Sequence, residues 1–305
     1  MKLVVRDARE NAWLCFEDAR EVVTARRVED VAHALERAEE CVAGGAWAAG
    51  FIGYEAAPAF DHALTTRAPG DLPLLMFGIF NAPRRVEPSR PRGACEIGPW
   101  SRAMTRDAYF AAIERIRAHI AAGDTYQVNF TLRQHAEFQG DPEHAFARLA
   151  DAARPRYGAF VDAGRFAIAS LSPELFFTLD DGVLASLPMK GTAGRALSFA
   201  DDQAVAERLA RCEKNRAENV MIVDMVRNDI GRIARAGSVR VPSLFSVERH
   251  ATVWQMTSTV EGRTDAGLAG IMRALFAPAS VTGAPKRRAM EIIAELEDSP
   301  RGIYT

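Results

Sequence analysis

A lysine stands between an apolar pair and a Gly-Thr pair in SLPMKGTAGR, residues 186–195. A free lysine has a pKa of about 10.4, so at pH 7 only about one side chain in 2,500 is an uncharged amine. Lys190 could act as a nucleophile only in a pocket that excludes water or beside another cation. Pro188, Met189 and Gly191 could supply close, dry packing, but most lysines point into water. The residues around Lys190 therefore leave both interpretations open.

A glutamate, Glu174 in SPELFF, stands at the start of a predicted strand. Ser172-Pro173 favours an extended entry, after which strand alternation places Glu174, Phe176 and Thr178 on one face. A buried carboxyl group beside phenylalanine has a raised pKa, which suits a general acid. A strand-end glutamate that reaches water is the competing interpretation.

A second glutamate, Glu218, lies in RAENVMIVDMVRND, whose spacing is helical. It falls on the helical face of Met221, Ile222 and Met225. A carboxylate in an apolar stripe is costly unless it is paired or bound to a metal. Glu218 could therefore bind a hard cation, with Mg²⁺ as the first choice, or it could stand at the edge of the stripe and pair with Lys214.

The segment SVTGAPK, residues 280–286, stands before a run with apolar residues at helical spacing. Hydroxyl groups, a glycine and a helix N-terminus can together bind a carboxylate. The chain contains neither GxxxxGK[ST] nor GxGxxG, so nucleotide binding is disfavoured. An ordinary capped helix start explains the segment equally well.

Strands and helices come in clusters along the chain, without strict βα alternation. This order favours an α+β fold with antiparallel sheets over a doubly wound parallel sheet. Residues 81–104, rich in Pro, Arg and Gly, are expected to be a connector. The apolar patterns predict strands at 2–5, 13–16, 46–54, 74–80, 125–138, 157–163, 165–170, 174–179, 183–189, 238–241 and 251–262, and helices at 28–43, 105–123, 141–154, 201–228 in two pieces around Cys212, 265–275 and 284–297.

The composition is that of an ordinary globular protein. Of the 305 residues 48% are hydrophobic and 26% are charged, and the net charge of −2 gives no indication of nucleic-acid binding. The four cysteines are far apart and form no CxxC pair, which argues against a structural zinc site and a disulfide framework. The N-terminus lacks a secretory apolar region, and no run of about 18 apolar residues occurs, so we expect a cytoplasmic protein without a membrane span.

Six segments occur together in an order and spacing that resemble the chorismate-utilising enzymes, which include the anthranilate, aminodeoxychorismate, isochorismate and salicylate synthases. They are GDTYQVNF (123–130), SPELFF (172–177), PMKGTAGR (188–195), AENVMIVDMVRNDIGR (217–232), VWQMTSTVEG (253–262) and SVTGAPKRRAMEII (280–293). The resemblance implies an α+β fold with two antiparallel sheets packed face to face, helices outside and the active site in a cleft. It also implies an N-terminal lobe at 1–100 and a chorismate-binding catalytic domain at 101–305.

Three positions favour the aminodeoxychorismate branch of this family. That branch carries PIKGT where this chain has PMKGT, whereas anthranilate synthases tend to carry alanine at the position of Lys190. Isochorismate and salicylate synthases place a water-activating lysine where this chain has Gln127, and the histidine common in anthranilate synthases corresponds to Gln255. The resemblance thus implies aminodeoxychorismate synthase component I; anthranilate synthase component I and an inactive fragment remain alternatives.

The resemblance also implies roles for individual residues. Lys190 would attack C2 of chorismate as hydroxide leaves from C4, and ammonia would then add at C4 and expel the lysine. Glu174 would be the general acid that protonates the departing hydroxyl, and Glu218 would hold Mg²⁺ against a substrate carboxylate. Hydroxyl and backbone N–H groups would line the substrate site at Gly191, Thr192, Thr282, Gly283 and Ala284.

A partner and a longer chain are implied as well. The partner would be a glutamine amidotransferase subunit that supplies ammonia, and the product would feed 4-aminobenzoate and folate synthesis. The family pattern continues beyond RGIYT, residues 301–305, with further substrate contacts and the second half of the magnesium site. We therefore expect a catalytic domain without its C-terminal part.

Overall fold

The computed structural model describes residues 1–87 and 94–303. Its internal contacts divide the chain into a first unit, Met1–Pro173 with Arg287–Thr305, and a second unit, Glu174–Lys286. The lobe boundary implied near residue 100 stays a prediction. Residues 88–93 of the predicted connector, and the last two residues of RGIYT, lie outside the described residues.

Both units contain helices and sheets, and the strands of the main sheets pair in antiparallel fashion. The strands are β1 (Lys2–Asp7), β2 (Ala12–Phe16), β3 (Glu21–Ala25), β4 (Trp47–Ile52), β5 (Leu75–Phe80), β6 (Arg84–Val86), β7 (Glu96–Ile97), β8 (Ser101–Arg102), β9 (Gln127–Val128), β10 (Gln134–His135), β11 (Phe138–Gln139), β12 (Tyr157–Asp162), β13 (Ala167–Ser172), β14 (Leu175–Asp180), β15 (Val183–Leu187), β16 (Met189–Gly194), β17 (Arg240–Arg249), β18 (Val253–Arg263) and β19 (Gly283–Ala284).

Several helices begin where a capping side chain satisfies a free backbone N–H group. Thr105 accepts from the N–H of Ala108, and Asp141, before a proline, accepts from that of Glu143. The helices are α1 (Val28–Ala43), α2 (Ala57–Phe60), α3 (Arg106–Ala121), α4 (Pro142–Ala153), α5 (Phe199–Arg211), α6 (Glu213–Gly231), α7 (Leu268–Leu275) and α8 (Lys286–Leu296), and 3-10 turns lie at Tyr54–Ala56 and Ala279–Val281.

The first unit contains a five-stranded sheet in the order β13-β12-β1-β2-β6 and a three-stranded sheet in the order β3-β5-β4. The pairs β10-β8 and β11-β7 are two-stranded. Apolar residues from β1, β2, β4, β5 and β12 form one core cluster, in which Leu3 and Phe80 are each 1% exposed. The N-terminal strands thus share a core with strands that lie about 150 residues later in the chain.

The second unit contains the sheet β14-β15-β18-β16, with β17 paired along the other edge of β18. Helix α6 packs on this sheet through a stripe that includes Ile222 and Ile230, which meet Leu184 of β15 and Val260 of β18. A turn at Asp181-Gly182, both with positive φ, joins β14 to β15 as the hairpin signal predicted. Strand β16 follows β15 after one residue and carries Lys190.

Two sequence predictions are wrong in detail. The strand expected over 125–138 is reduced to the short strands β9 and β10, because its side chains are largely exposed or half-buried and no long apolar face holds it to a sheet. Alternation over 174–179 is interrupted by a register shift between Leu175 and Thr178. As a result Phe176 and Phe177 both pack against the core of the second unit.

Mixed helices and antiparallel sheets confirm the α+β class. Helix α1 spans the predicted residues 28–43, and Cys212 separates α5 from α6 as predicted. Strand β3 had no predicted counterpart, and it is a five-residue strand in which only Val23 and Ala25 are buried. Among the described residues, no helix is long and apolar enough to cross a membrane.

Candidate active site

The central side chain of the site is Lys190, the second residue of β16. It is half-buried, and its Nζ donates a hydrogen bond to the backbone carbonyl of Ser280 at 2.8 Å. Burial lowers the pKa of Lys190, and the negative charges of Glu174 and Glu218 act in the opposite direction. Partial burial therefore favours the uncharged amine at Lys190.

The nearest acid is Glu174, the residue before β14. Burial raises the pKa of its carboxyl group. A hydrogen bond from Ser280, the charge of Lys190 and the backbone N–H of Met189 all oppose this rise. The structure thus brings together Glu174 and Lys190, which are separated in sequence by a complete hairpin.

Burial favours the uncharged form of both Lys190 and Glu174. Desolvation favours an amine over an ammonium at Lys190 and a carboxylic acid over a carboxylate at Glu174. The attraction between the two charged forms opposes this preference. A neutral amine beside a neutral carboxylic acid is therefore the pair of states that the burial of this site promotes.

A glycine directly after the lysine keeps β16 close to helix α6. Gly191 has a φ of +100°, and a Cβ atom built there would lie 3.0 Å from the Cβ of Asn215 and 3.3 Å from that of Met256. Only glycine meets both demands without strain. The bond from Asn219 Nδ2 to the carbonyl of Lys190, at 3.4 Å, links the same part of β16 to α6.

Thr192 and Gln255 form a polar pair across β16 and β18. The Thr192 hydroxyl donates to Gln255 Oε1 at 2.8 Å, and Gln255 Nε2 donates to the carbonyl of Gly191 at 3.0 Å. Thr192 is exposed and Gln255 is buried. The pair fixes the two residues after Lys190 and leaves Thr192 accessible.

The far end of β16 is held by a buried carboxylate. Asp202 of α5 binds Arg195 through both oxygens, the shortest contact being 2.5 Å, and also accepts from Trp254 Nε1 at 2.9 Å. Arg195 lies over the Trp254 ring and donates to the carbonyl of His250. The hydrogen bond from Arg195 lowers the pKa of Asp202 well below its usual range. This cluster anchors the strand that carries Lys190.

The predicted binding residues 282–284 follow the 3-10 turn that contains Ser280. Thr282 is fully buried, and its hydroxyl donates to the carbonyls of Pro278 and Ala279 within the same turn. Gly283 and Ala284 are buried as well. Their backbone groups and that of Thr282 stay candidates for substrate contacts, while the Thr282 hydroxyl stabilises the turn.

The last residue of SVTGAPK has a structural partner. Lys286 Nζ binds Asp229 Oδ2 at 2.7 Å and the carbonyl of Leu275 at 3.0 Å. The two side chains are 14% and 10% exposed. Burial raises the pKa of Asp229, and the charge of Lys286 opposes the rise. Lys286 therefore ties the segment after the turn to helix α6.

Glu218 lies at the edge of the apolar stripe of α6, with Ile222 buried one turn later. Its side chain is 37% exposed and lies 3.8 Å from Lys214 Nζ in a surface ion pair. Within residues 1–87 and 94–303, no cluster of three or more acidic, histidine or cysteine side chains could hold a metal. A Mg²⁺ ion is usually held by one or two carboxylates together with water and substrate oxygens, so Glu218 fits as one ligand of such an ion.

Sequence reasoning missed the residues that support the pair. Ser280 stood in the quoted SVTGAPK segment, but its role depends on a turn that brings it back to β16. Asn219, 1% exposed in the middle of an apolar helical stripe, was a readable signal because a buried amide requires partners. It finds them in the carbonyl of Lys190 and the hydroxyl of Ser258.

Comparison with known proteins decides the family. The family model of the chorismate binding enzymes matches residues 6–305 of the chain. The chain belongs to this family. The family resemblance read from the six segments is therefore confirmed.

Several curated relatives of the chain are aminodeoxychorismate synthases. Component 1 from Klebsiella aerogenes is 39% identical over 286 residues, covering 84% of this chain and 63% of the relative. Component 1 from Escherichia coli K12 is 44% identical over 207 residues, covering 67% of this chain and 46% of the relative. The chain thus spans less than two thirds of these relatives.

One solved structure is similar to this chain over its whole length. Anthranilate synthase component I from Streptococcus pneumoniae TIGR4 superposes with a TM-score of 0.80 at 22% identity. The superposition covers 100% of this chain and 79% of that protein. At this identity the likeness establishes the fold of the family, in agreement with the predicted α+β class.

Proposed function

We propose that the chain is the chorismate-binding part of an aminodeoxychorismate synthase component I, which converts chorismate and ammonia to 4-amino-4-deoxychorismate. The observation that carries the proposal is the half-buried Lys190 amine, held at 2.8 Å by the carbonyl of Ser280 and facing the half-buried acid Glu174. The names of the most similar relatives support the same branch. A glutamine amidotransferase subunit is the proposed source of ammonia.

The first half of the proposed reaction uses the pair in its uncharged state. The nitrogen of Lys190 forms a bond to C2 of chorismate, the ring double bonds shift, and the C4–O bond breaks. Glu174 gives its proton to the departing hydroxyl, which leaves as water. Hydroxide is a poor leaving group, so loss of this acid should cost about 10²–10⁴-fold in rate.

The second half reverses the shift of electrons. Ammonia forms a bond to C4, the double bonds return, and the C2–N bond to Lys190 breaks. The new ammonium group returns one proton to the Glu174 carboxylate, so that enzyme and protons balance over the cycle. Lysine serves this purpose because its amine can leave as well as attack.

The remaining predicted residues have binding roles in this proposal. Glu218 contributes one oxygen ligand to a Mg²⁺ ion, whose chemistry when bound is to neutralise a substrate carboxylate. Gly191 and Thr192 lie on β16 on the substrate side, and Gly283 and Ala284 contribute backbone N–H groups, while Thr282 holds the turn through its own N–H and hydroxyl. These contacts orient the ring so that C2 faces the amine.

The test is to incubate the chain with chorismate, ammonium and Mg²⁺ and to follow the products with and without a separate aminodeoxychorismate lyase. We expect 4-aminobenzoate only when the lyase is present. Direct appearance of fluorescent anthranilate would overturn the assignment in favour of anthranilate synthase. Absence of magnesium-dependent chorismate binding would favour a non-catalytic fragment.

A trapping experiment tests the mechanism on the same sample. With chorismate and no ammonia, the intact mass should increase by that of chorismate minus water, and peptide mapping should place the adduct on Lys190. The Lys190→Ala variant is the matched control and should show no adduct. An adduct on another residue would contradict the proposed nucleophile.

A further inference from the structure

The serine between the two reacting side chains has contacts with both. Ser280 is 7% exposed and lies in the 3-10 turn Ala279–Val281. Its carbonyl accepts from Lys190 Nζ at 2.8 Å, and its hydroxyl donates to the carboxylate of Glu174. One residue therefore touches the amine with its backbone and the acid with its side chain.

We propose that Ser280 is a positioning residue of this site: its carbonyl orients the Lys190 amine, and its hydroxyl stabilises the Glu174 carboxylate that remains after proton transfer. The inference rests on the proposed function and extends it to a residue that does not itself react with the substrate. Each half of the role follows from a different group of the residue, and side-chain substitutions test the hydroxyl half.

The carbonyl suits an amine that must be uncharged when it reacts. A carbonyl oxygen accepts a hydrogen bond from an amine as well as from an ammonium, whereas a carboxylate partner would favour the ammonium. With one N–H directed to Ser280, the lone pair of an uncharged Lys190 points away from that oxygen. The carbonyl thus restricts the direction of attack without holding the proton in place.

The hydroxyl suits an acid that must release its proton. Hydrogen bonds to a charged acceptor are stronger than those to a neutral one, so the bond from Ser280 strengthens as Glu174 becomes a carboxylate. The Met189 N–H acts in the same direction. The charged groups that face this pair are Lys190 for Glu174, and Glu174 and Glu218 for Lys190.

The turn itself holds the carbonyl in place, independently of the serine side chain. Val281 donates its N–H to the carbonyl of Pro278, and the Thr282 hydroxyl donates to the same carbonyl at 3.0 Å. Replacing Ser280 by alanine removes the hydroxyl alone. The backbone carbonyl stays in the turn, so the Lys190 contact should survive this substitution.

The experiment measures Glu174 directly. Infrared difference spectra across a pH titration report its carboxyl band, which the Glu174→Gln variant assigns. In Ser280→Ala we expect the protonation midpoint of Glu174 to move to higher pH, because a donor to the charged form is lost. Ser280→Thr, which restores a hydroxyl, should return the midpoint towards that of the wild type.

Kinetics give the second readout. Ammonia-dependent amination by Ser280→Ala should fall about tenfold in kcat with little change in KM, since a hydrogen bond to a charge that develops in the transition state is lost. The pH limb that reports the acid should move with the infrared midpoint. Thr264→Val is the matched control, because it removes another buried hydroxyl, bonded to the Ile233 carbonyl at 2.7 Å.

An unchanged Glu174 midpoint in folded Ser280→Ala would overturn the inference. If that variant does not fold, Ser280→Cys keeps the side-chain volume with a weaker donor and carries the same expectation. A different outcome is also possible: the protonation midpoint of Glu174 moves in Ser280→Ala, but the protein aminates no chorismate. That result would support the contact between Ser280 and Glu174 and would refute the proposed function instead. The two failures are thereby distinguishable.

Discussion

The second unit contains two pairs of a lysine and a carboxylate, and they are built differently. Lys286 Nζ binds Asp229 Oδ2 directly at 2.7 Å and also donates a hydrogen bond to the carbonyl of Leu275. Lys190 directs its Nζ to the carbonyl of Ser280, and Ser280 in turn contacts Glu174. The first arrangement is an ion pair, whereas the second places a neutral polar residue in contact with both groups.

The difference shows how one fold can use the same residue types for stability and for chemistry. A direct ion pair stabilises both charges and makes loss of the proton from lysine unfavourable. A carbonyl partner leaves the charge state of the amine to burial, which lowers the pKa of Lys190. We infer that the pair at Asp229 is structural and the pair at Glu174 is reactive, and four changes test this contrast.

The largest effect is expected at the reactive lysine. Lys190→Met removes the nucleophile and should reduce ammonia-dependent amination about 10³-fold or more. The same change should leave the melting temperature unchanged or raise it, because a desolvated amine is replaced by an apolar chain. Product formation and thermal unfolding are measured on the same preparation. Amination at the wild-type rate would refute the role of Lys190.

The structural lysine should respond in the opposite way. Lys286→Met leaves Asp229 buried without its ion-pair partner and should lower the free energy of unfolding by about 3–5 kcal/mol. The double variant Lys286→Met with Asp229→Asn removes the charge and should recover part of this loss. Urea denaturation of both variants checks the expectation. Equal destabilisation by Lys286→Met and Lys190→Met would contradict the contrast.

Much of the fold could be predicted from the sequence, because local features such as helix caps and turns agree with the structure. Thr105 and Asp141 cap the helices that they were predicted to begin, and the Asp181-Gly182 turn forms the expected hairpin. The strand predicted over 125–138 failed because a strand requires a partner with a matching face, and that information is not local. The bulge in β14 escaped prediction for the same reason.

The site residues that could be predicted from the sequence are those whose proposed role depends on their chemical type. Lys190 and Glu174 were found from an unusual lysine and an unusual glutamate in apolar surroundings, together with the family resemblance. Ser280 could not be ranked above Thr282 from the sequence, since both are hydroxyl residues of one loop. Only the turn decides that Thr282 bonds within it while Ser280 reaches the reacting pair.

An intermediate effect is expected at the glycine beside the reactive lysine. Gly191→Ala would force a positive φ on alanine and place its Cβ at 3.0 Å from Asn215, so we expect a loss of about 1–3 kcal/mol and lower amination. Gly194→Ala in the same strand is the control, since a Cβ there meets nothing within 4 Å. Denaturant midpoints of the two variants should differ accordingly. Similar midpoints would mean that β16 adapts to a side chain beside Lys190.

The smallest effect is a pH dependence whose sign separates a carboxyl group with a raised pKa from one with a lowered pKa. Burial raises the pKa of Glu174 above its usual 4.5, so the folded protein retains this proton to higher pH than the unfolded chain. Wild type should therefore lose stability relative to Glu174→Gln as the pH rises above about 4.5.

Asp202, bound by Arg195, has a lowered pKa and should show the reverse. Wild type should lose stability relative to Asp202→Asn as the pH falls below about 3.8, because the unfolded chain then binds the proton more readily. Thermal unfolding of the three proteins between pH 3 and pH 8 measures both slopes. Slopes of the same sign would mean that Glu174 is held as a charged partner of Lys190, which would remove the proton donor from the proposed reaction.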